Sequence, residues 1–387
     1  MKKTRIGIIG ASGRAILAKH WHETHREIAE VVAAVDVSEK SLADFRSWAG
    51  ADAWTGSDYR ELLKRPDLDA IGVFTPDRFH EEHALAVLAS GKALYLEKPM
   101  SLSTEACDRI LAAWRKSGVP FMMGFNLRYH PVVVAARAAI QAGKIGNVKA
   151  IWVHHFVGAG GDFYYHDWHA NREGVHSLLL QKASHDLDLI HWLGGAYGVR
   201  AAAFGDLDYF GGDKPDDLTC PPCPIRETCR EEQAPENPRQ QCVFRQSVDV
   251  EDNQVVILRL ANGVKASYTQ CHFTPEYVRH YNVIGDQGRI EFFMERAQLW
   301  FYPRPAKTRD WPTPPPREEL PLAPASSADD GHGGADGQIA AGFLRYLRDG
   351  VPPNTSPEAG RMSVAVGCAA VASLREGRIV EVPPLNV

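Results

Sequence analysis

The chain has no run of about eighteen apolar residues, the length at which a helix can cross a bilayer. It also has no excess of positive charge. Its 43 Lys and Arg face 48 Asp and Glu, and a net charge of −5 predicts no nucleic-acid partner. Seven cysteines in 387 residues are too few for a disulfide scaffold, and no internal repeat is visible. Lys2 and Lys3 lead into a strand instead of the apolar core and cleavage site of a signal peptide, so a cytoplasmic protein with no membrane partner is expected. What is present is globular in kind: 44% hydrophobic and 24% charged residues, in a chain too long for one compact core. Two domains, and therefore a cleft, are expected.

From Thr4 to about Phe125, short apolar runs alternate with amphipathic segments, the pattern of a parallel sheet covered by helices. The runs are Arg5 to Ile9, Val31 to Val35, Ala70 to Phe74, Ala93 to Leu96 and Phe121 to Phe125. Helical segments between them stop at Gly91 and Gly118, as residues with positive φ stop a helix. Residues 1–126 therefore read as a doubly wound α/β domain. A helix from Pro131 to Gly143 then leads into strand-like Val148 to His155.

The rhythm then changes. Strand candidates follow at Arg200 to Leu207, Gln254 to Leu260, Val264 to Cys271, Arg279 to Ile284 and Arg289 to Phe293, with Asn262-Gly263 as a hairpin signal. One long helix, Val175 to Leu193, interrupts them. Residues 127–387 are thus expected to form a second α/β domain with an open, mainly antiparallel sheet and helices on one face. Its other face needs cover, which predicts a homodimer or homotetramer. Pro303 to Asp330 reads as a loop or extended arm, and Gln338 to Leu347 and Ser363 to Leu374 as closing helices.

The first strand ends in Gly10-Ala11-Ser12-Gly13-Arg14 immediately before a helical stretch, where backbone N–H groups can meet a pyrophosphate. Ser12 stands where a glycine usually lets the backbone approach the phosphates. The second strand ends at Asp36, about twenty residues on, where a carboxylate accepts the ribose hydroxyls and repels a 2′-phosphate. Strand, turn, helix and acid in this order predict a Rossmann domain that binds NAD in preference to NADP. The plainer reading is a strand-to-helix turn with Asp36 as a helix cap.

At Glu97-Lys98-Pro99, after the Ala93 to Leu96 strand, the sequence resembles the signature of the Gfo/Idh/MocA oxidoreductases. Thr75-Pro76-Asp77 with His80 resembles that family's loop after an earlier strand. Asn126-Leu127-Arg128-Tyr129-His130-Pro131 resembles its crossover into the second domain. His185-Asp186-Leu187-Asp188 before Trp192-Leu193-Gly194-Gly195 resembles its catalytic helix, and Gly331-His332-Gly333-Gly334-Ala335-Asp336 is also similar. Many members carry Asp four residues before the histidine. This chain has Gln181 there and Lys182 next, similar to a branch with a Gln/Glu-Lys-x-x-His-Asp pattern.

The resemblance implies NAD(P)-dependent chemistry on sugars, sugar derivatives or inositols, with Lys98 and His185 working on the reacting hydroxyl. Cofactor contacts are implied at Gly10, Ser12, Gly13, Arg14, Asp36, Thr75, Pro76, His80, Glu97, Lys98 and Asn126. Oxidising a secondary alcohol needs a hydride acceptor at the carbon and a base at the hydroxyl. NAD is the acceptor. Lys98 can stabilise developing alkoxide charge, and His185 can take the proton, because an unperturbed imidazole titrates near neutrality. On one helix Lys182, His185 and Asp186 would share a stripe, with Lys182 as a third catalytic group. The plainer readings are a surface lysine, a satisfied helix histidine and a solvated Lys182–Asp186 ion pair.

Substrate contacts are expected from Lys98, Lys182, His185, Asp186, Arg128, Tyr129, Trp168 and His169, although crossover residues equally often lock domains together. The loop Phe163 to His169 can stack on a sugar's C–H face, with His169 as the chosen contact, or can be packing anchored by Trp168. Cys220, Cys223, Cys229 and Cys242 have C-x2-C, x5-C and x12-C spacings in a Pro- and charge-rich insertion at about 210–245 that cannot make its own core. Zinc, an iron–sulfur cluster, and free or disulfide-bonded thiols all fit that spacing. The leading functional reading is NAD-linked oxidation of a ring hydroxyl. The alternatives are a glycosidase that uses NAD in transient oxidation, elimination and hydration, and a non-catalytic NAD-binding sensor.

Overall fold

The computed structural model describes residues 2–158, 162–307, 315–323 and 332–385. Of the expected arm, 308–314 and 324–330 lie outside the described residues, as does Gly331. The chain divides into two compact units, one of residues up to Val134 with Ala323–Val364, the other of Ala135–Leu322 with Ala365–Val387.

The first unit holds a six-stranded parallel sheet: β1 (Thr4–Ile9), β2 (Ala29–Val35), β3 (Trp54–Gly56), β4 (Ala70–Val73), β5 (Ala93–Leu96) and β6 (Phe121–Met123), in the order β3-β2-β1-β4-β5-β6. The order reverses between β1 and β4, and ligands of such sheets bind at the carboxyl ends of the strands at that switch. Strands buried on both faces explain the continuous apolar runs, such as the fully buried Ala-Leu-Tyr-Leu of β5. The helix Thr104–Ser117 begins at Ser103, whose side chain accepts from the Ala106 N–H, and stops at left-handed Gly118.

Two features of this unit depart from the sequence reading. After the glycine turn the chain winds as a 3-10 turn, Gly13–Leu17, and a π turn, His20–Thr24, instead of an α-helix. The helix Ala335–Asp349, expected to close the second domain, supplies Ile339, Phe343 and Leu344 to the first unit's core. Trp21 explains both. Its ring lies 5.3 Å from those of Tyr95 and Phe343, and its indole N–H donates to the Ala340 carbonyl at 3.2 Å. Burying so large a side chain with its polar atom satisfied fixes the winding around it.

The second unit is built on nine strands. The new ones are β7 (Val148–Val157), β8 (Gly198–Asp206), β9 (Asn253–Leu260), β10 (Lys265–Cys271), β11 (Tyr277–Gly285), β12 (Gly288–Phe293), β13 (Gln298–Pro303), β14 (Glu318–Glu319) and β15 (Val380–Glu381). Their order is β14-β13-β12-β11-β7-β10-β9-β8-β15, and all neighbours are antiparallel except β7 and β10. Alternation along β7 and β9 buries Ile151, Val153, Val256 and Leu258 on one face, against which the helix Ser184–Gly194 packs. The opposite face leaves Trp152, Phe204, Val255 and Ile257 exposed.

The single helix expected over Val175 to Leu193 is three pieces: Arg172–Val175, Leu178–Gln181 and Ser184–Gly194. His176 takes a left-handed φ of 64°, and buried Ser177 caps the second piece while donating to Glu251 Oε2 at 3.1 Å. The Ala183 N–H then reaches five residues back to the Leu178 carbonyl, a wide turn that resets the helix axis. Apolar residues run through all three pieces, so periodicity does not reveal the breaks.

Candidate active site

In the first unit, the residues singled out by sequence gather at the carboxyl ends of β1, β2, β4, β5 and β6. Gly10 takes a φ of 85°, and a Cβ there would lie 2.9 Å from the Phe74 carbonyl carbon, so only glycine lets the β1 turn pass the end of β4. Gly13 is also left-handed, and Ser12 is extended. Asp36 accepts from the Ala11 N–H at 2.7 Å and the Ser38 N–H at 2.9 Å, tying the glycine turn to the end of β2. It does not cap the next helix, a role taken by Ser38.

Past β4, the His80 ring is pinned between the Pro99 carbonyl (2.6 Å) and the Thr75 carbonyl (2.8 Å). Burial pushes its pKa down to about 4. The ring is therefore neutral at pH 7, and one of the two contacts carries its single proton. His80 thus braces the Thr75-Pro76 loop against Pro99, which a cis peptide bond joins to Lys98. Buried Asp77, which the sequence reading did not assign, lies beside Lys98. Burial raises its pKa to about 7 against the pull of the lysine charge.

Arg14, Glu97 and Asn126 meet on Asp336. Arg14 donates twice to Asp336, at 2.8 and 3.0 Å, and to Glu97 Oε1 at 3.2 Å. Asn126 Nδ2 donates to Asp336 Oδ1 at 2.7 Å. Burial disfavours the Asp336 carboxylate, but His332 and Arg14 outweigh it and hold the group well below the usual carboxylate range. Arg14 is thereby committed to two carboxylates. Of the remaining crossover residues, Arg128 donates to the Asn354 carbonyl, and Tyr129 packs against the first unit's core.

In the second unit Lys182 and Asp186 do not pair. Lys182 ends the short helix Leu178–Gln181, and its Nζ donates to the Tyr277 hydroxyl at 3.1 Å, with the rings of Tyr164 and Tyr277 5.1 and 5.3 Å away. Asp186 is fully buried under the sheet, where it meets His155 Nδ1 (3.0 Å), Arg279 Nε (3.4 Å), Tyr268 (3.3 Å) and Tyr281. Burial and Arg279 lower the His155 pKa to about 3, so the ring is neutral. Burial disfavours the Asp186 carboxylate, but His155, Arg279 and the Tyr281 hydroxyl hold it well below the usual carboxylate range.

Arg279 also donates to the Tyr277 oxygen at 3.0 Å and to Glu295 at 3.2 Å. Tyr277 is thus a phenol held by two cations. Burial opposes its ionisation, but Arg279 and Lys182 draw its pKa below the usual tyrosine value. The sequence reading missed Tyr277 and Arg279, whose one visible signal was a charged residue opening a strand. His185 sits buried in the first turn of Ser184–Gly194.

The aromatic loop folds inward. Tyr165 stacks on Phe210 at 4.0 Å in a satellite core, and Trp168 stacks on His169 at 3.7 Å. His169 is buried, and its Nδ1 contacts Asp167, which Arg239 holds at 2.6 Å. Further along, Cys220, Cys223, Cys229 and Cys242 line one small pocket with His166. Among the described residues no three or more His, Cys, Asp and Glu are gathered at metal-binding distances.

Comparison with known proteins agrees with this architecture. Residues 4–125 match the model of an oxidoreductase family with an NAD-binding Rossmann fold, and 133–291 match a GFO/IDH/MocA C-terminal domain. The levoglucosan dehydrogenase of Pseudarthrobacter phenanthrenivorans is 26% identical, over 85% of this chain and 84% of its own length. An inositol 2-dehydrogenase of Klebsiella pneumoniae is 30% identical over 49% of this chain and 54% of its own length. A solved levoglucosan dehydrogenase, in complex with NADH and levoglucosan, superposes with a TM-score of 0.81 at 18% identity, covering 99% of this chain and 100% of that one. With both family models in chain order on the two folds described, the chain belongs to the Gfo/Idh/MocA family of oxidoreductases, with an N-terminal NAD-binding Rossmann domain.

Proposed function

We propose that the protein transfers a hydride between NAD and a ring hydroxyl of a sugar, glycoside or cyclic polyol. The observation that carries this reading is the match over most of its length to a levoglucosan dehydrogenase, together with the strand-end cluster around Gly10, Asp36 and Lys98. Inositol and levoglucosan, the substrates in the relatives' names, define the class to test. The residues present fit the dinucleotide: a turn at Gly10 with no room for a side chain, and at the end of β2 an acid that favours NAD over NADP. NAD supplies the hydride acceptor.

Each protein group has one task in this reading. Lys98 donates to the reacting oxygen and steadies its charge as the carbonyl forms. His185 takes the hydroxyl proton. Lys182, fixed by Tyr277 and Tyr164, keeps a cation in the substrate domain. Asp186 anchors Arg279, which with Lys182 holds Tyr277, and does not touch substrate. The exposed apolar residues Trp152, Phe204, Val255 and Ile257 favour a homodimer or homotetramer.

The test is incubation with NAD and a panel of inositols, free sugars and glycosides, following NADH and product mass together. A product two hydrogens lighter, matched by NADH, is expected. Glycoside cleavage without NADH would replace this reading with the redox-assisted glycosidase.

A further inference from the structure

The dehydrogenase reading leaves the cysteine insertion without a task, and the insertion lacks what normally holds a segment in place. From Gly212 to Cys242, all of them described residues, Cys220 is the one buried side chain. The surrounding satellite core takes Phe210, Val243, Val248 and Val250 from the ends of the insertion and nothing from its middle. Some thirty residues with no apolar core do not recover the conformational entropy of ordering.

The backbone of this stretch is nevertheless specific, and it brings the thiols together. Thr219 and Gln241 form an antiparallel bridge, with the Cys220 N–H donating to the Gln240 carbonyl at 2.8 Å and the Cys242 N–H to the Leu218 carbonyl at 2.9 Å. Cys220 and Cys242 therefore flank the bridged pair diagonally, on the same face of the ladder. The Pro221-Pro222 turn returns Cys223, whose N–H donates to the Cys220 carbonyl at 3.1 Å. The next turn presents Cys229, whose N–H donates to the Arg226 carbonyl at 3.2 Å. All four line the same pocket. His166 lines it too, with Nδ1 at 2.6 Å from the Gln241 carbonyl, so that nitrogen carries its proton and is no ligand.

We propose that Cys220, Cys223, Cys229 and Cys242 bind one zinc ion and that this ion stands in for a core in the insertion. Four thiolates complete the tetrahedral shell of a closed structural site, so binding draws the thiols inward from their present spacing and releases four protons. The ion takes no part in hydride transfer.

The test is elemental analysis of the untagged wild-type chain, purified in reducing buffer without chelator. The expected result is about one zinc per chain and no iron. Zinc should be released in step with mercurial blocking of four thiols, and exchange for cobalt should give thiolate-to-metal absorption. C220S and C242S should each lose the metal, and hydrogen exchange across 212–242 should rise while the β1 peptide is unchanged. Three results overturn the proposal: no stoichiometric zinc in the wild type after incubation with zinc, iron with visible absorption, or a mass four hydrogens light, which marks two disulfides. These readouts need no substrate, so they stand or fall apart from the dehydrogenase reading.

Discussion

Replacing Asp336 by alanine should destabilise the first unit by about 2–3 kcal/mol. The Asp336 side chain is 3% exposed and takes two hydrogen bonds from Arg14, one from Asn126 and a contact from His332. Breaking a fully buried ion pair from one side costs about 3–5 kcal/mol. Arg14 is 31% exposed and keeps Glu97 at 3.2 Å, so part of its charge stays compensated and the cost falls to the lower end of that range or just below it. Hydrogen exchange of peptides from β1 and from Ala335–Asp349 reads this unit alone, and the cost corresponds to roughly 30- to 150-fold faster exchange. Asp336→Asn, which keeps the shape but loses the charge, should fall between the two proteins. Exchange in Asp336→Ala within about twofold of wild type would mean that the buried carboxylate is not holding Arg14.

Asp36→Ser should weaken NAD binding and reduce the preference over NADP, measured by titrating both cofactors fluorimetrically; an unchanged ratio would remove Asp36 from the site. Lys98→Ala and His185→Gln should each lower kcat by roughly 10²- to 10⁴-fold, and NAD affinity should stay within about threefold in His185→Gln. The second unit should be acid-sensitive. His155, with a folded pKa of about 3 against about 6.5 unfolded, takes up a proton on unfolding. Its contribution is complete above about pH 6.5 and shrinks as pH falls, by up to about 2 kcal/mol between pH 7 and 5. Asp186 adds a loss of the same sign at lower pH. A urea midpoint that rises on acidification to pH 5 would contradict this.

Much of the fold was legible because burial writes itself into period: strands buried on both faces give unbroken apolar runs, and half-buried strands alternate. What escaped were elements set by single tertiary anchors. The three-piece helix depends on Ser177 meeting Glu251, distant in sequence. The return of Ala335–Asp349 to the first unit depends on Trp21. Edge strands β3, β14 and β15 are too short to show a pattern. At the site, the glycine turn and Glu97-Lys98-Pro99 were readable as local motifs. The Lys182–Tyr277–Arg279 and Arg14–Asp336 clusters were not, because residues 95 and 322 positions apart meet only after folding.

Hydride transfer from a cyclic polyol or sugar to NAD is read by NADH absorbance and product mass in the same reaction, wild type beside Lys98→Ala. The wild type should give stoichiometric NADH and a product two hydrogens lighter, with NADH formation at least about a hundredfold slower in the variant. Equal rates in the two proteins, or product without NADH, would contradict it.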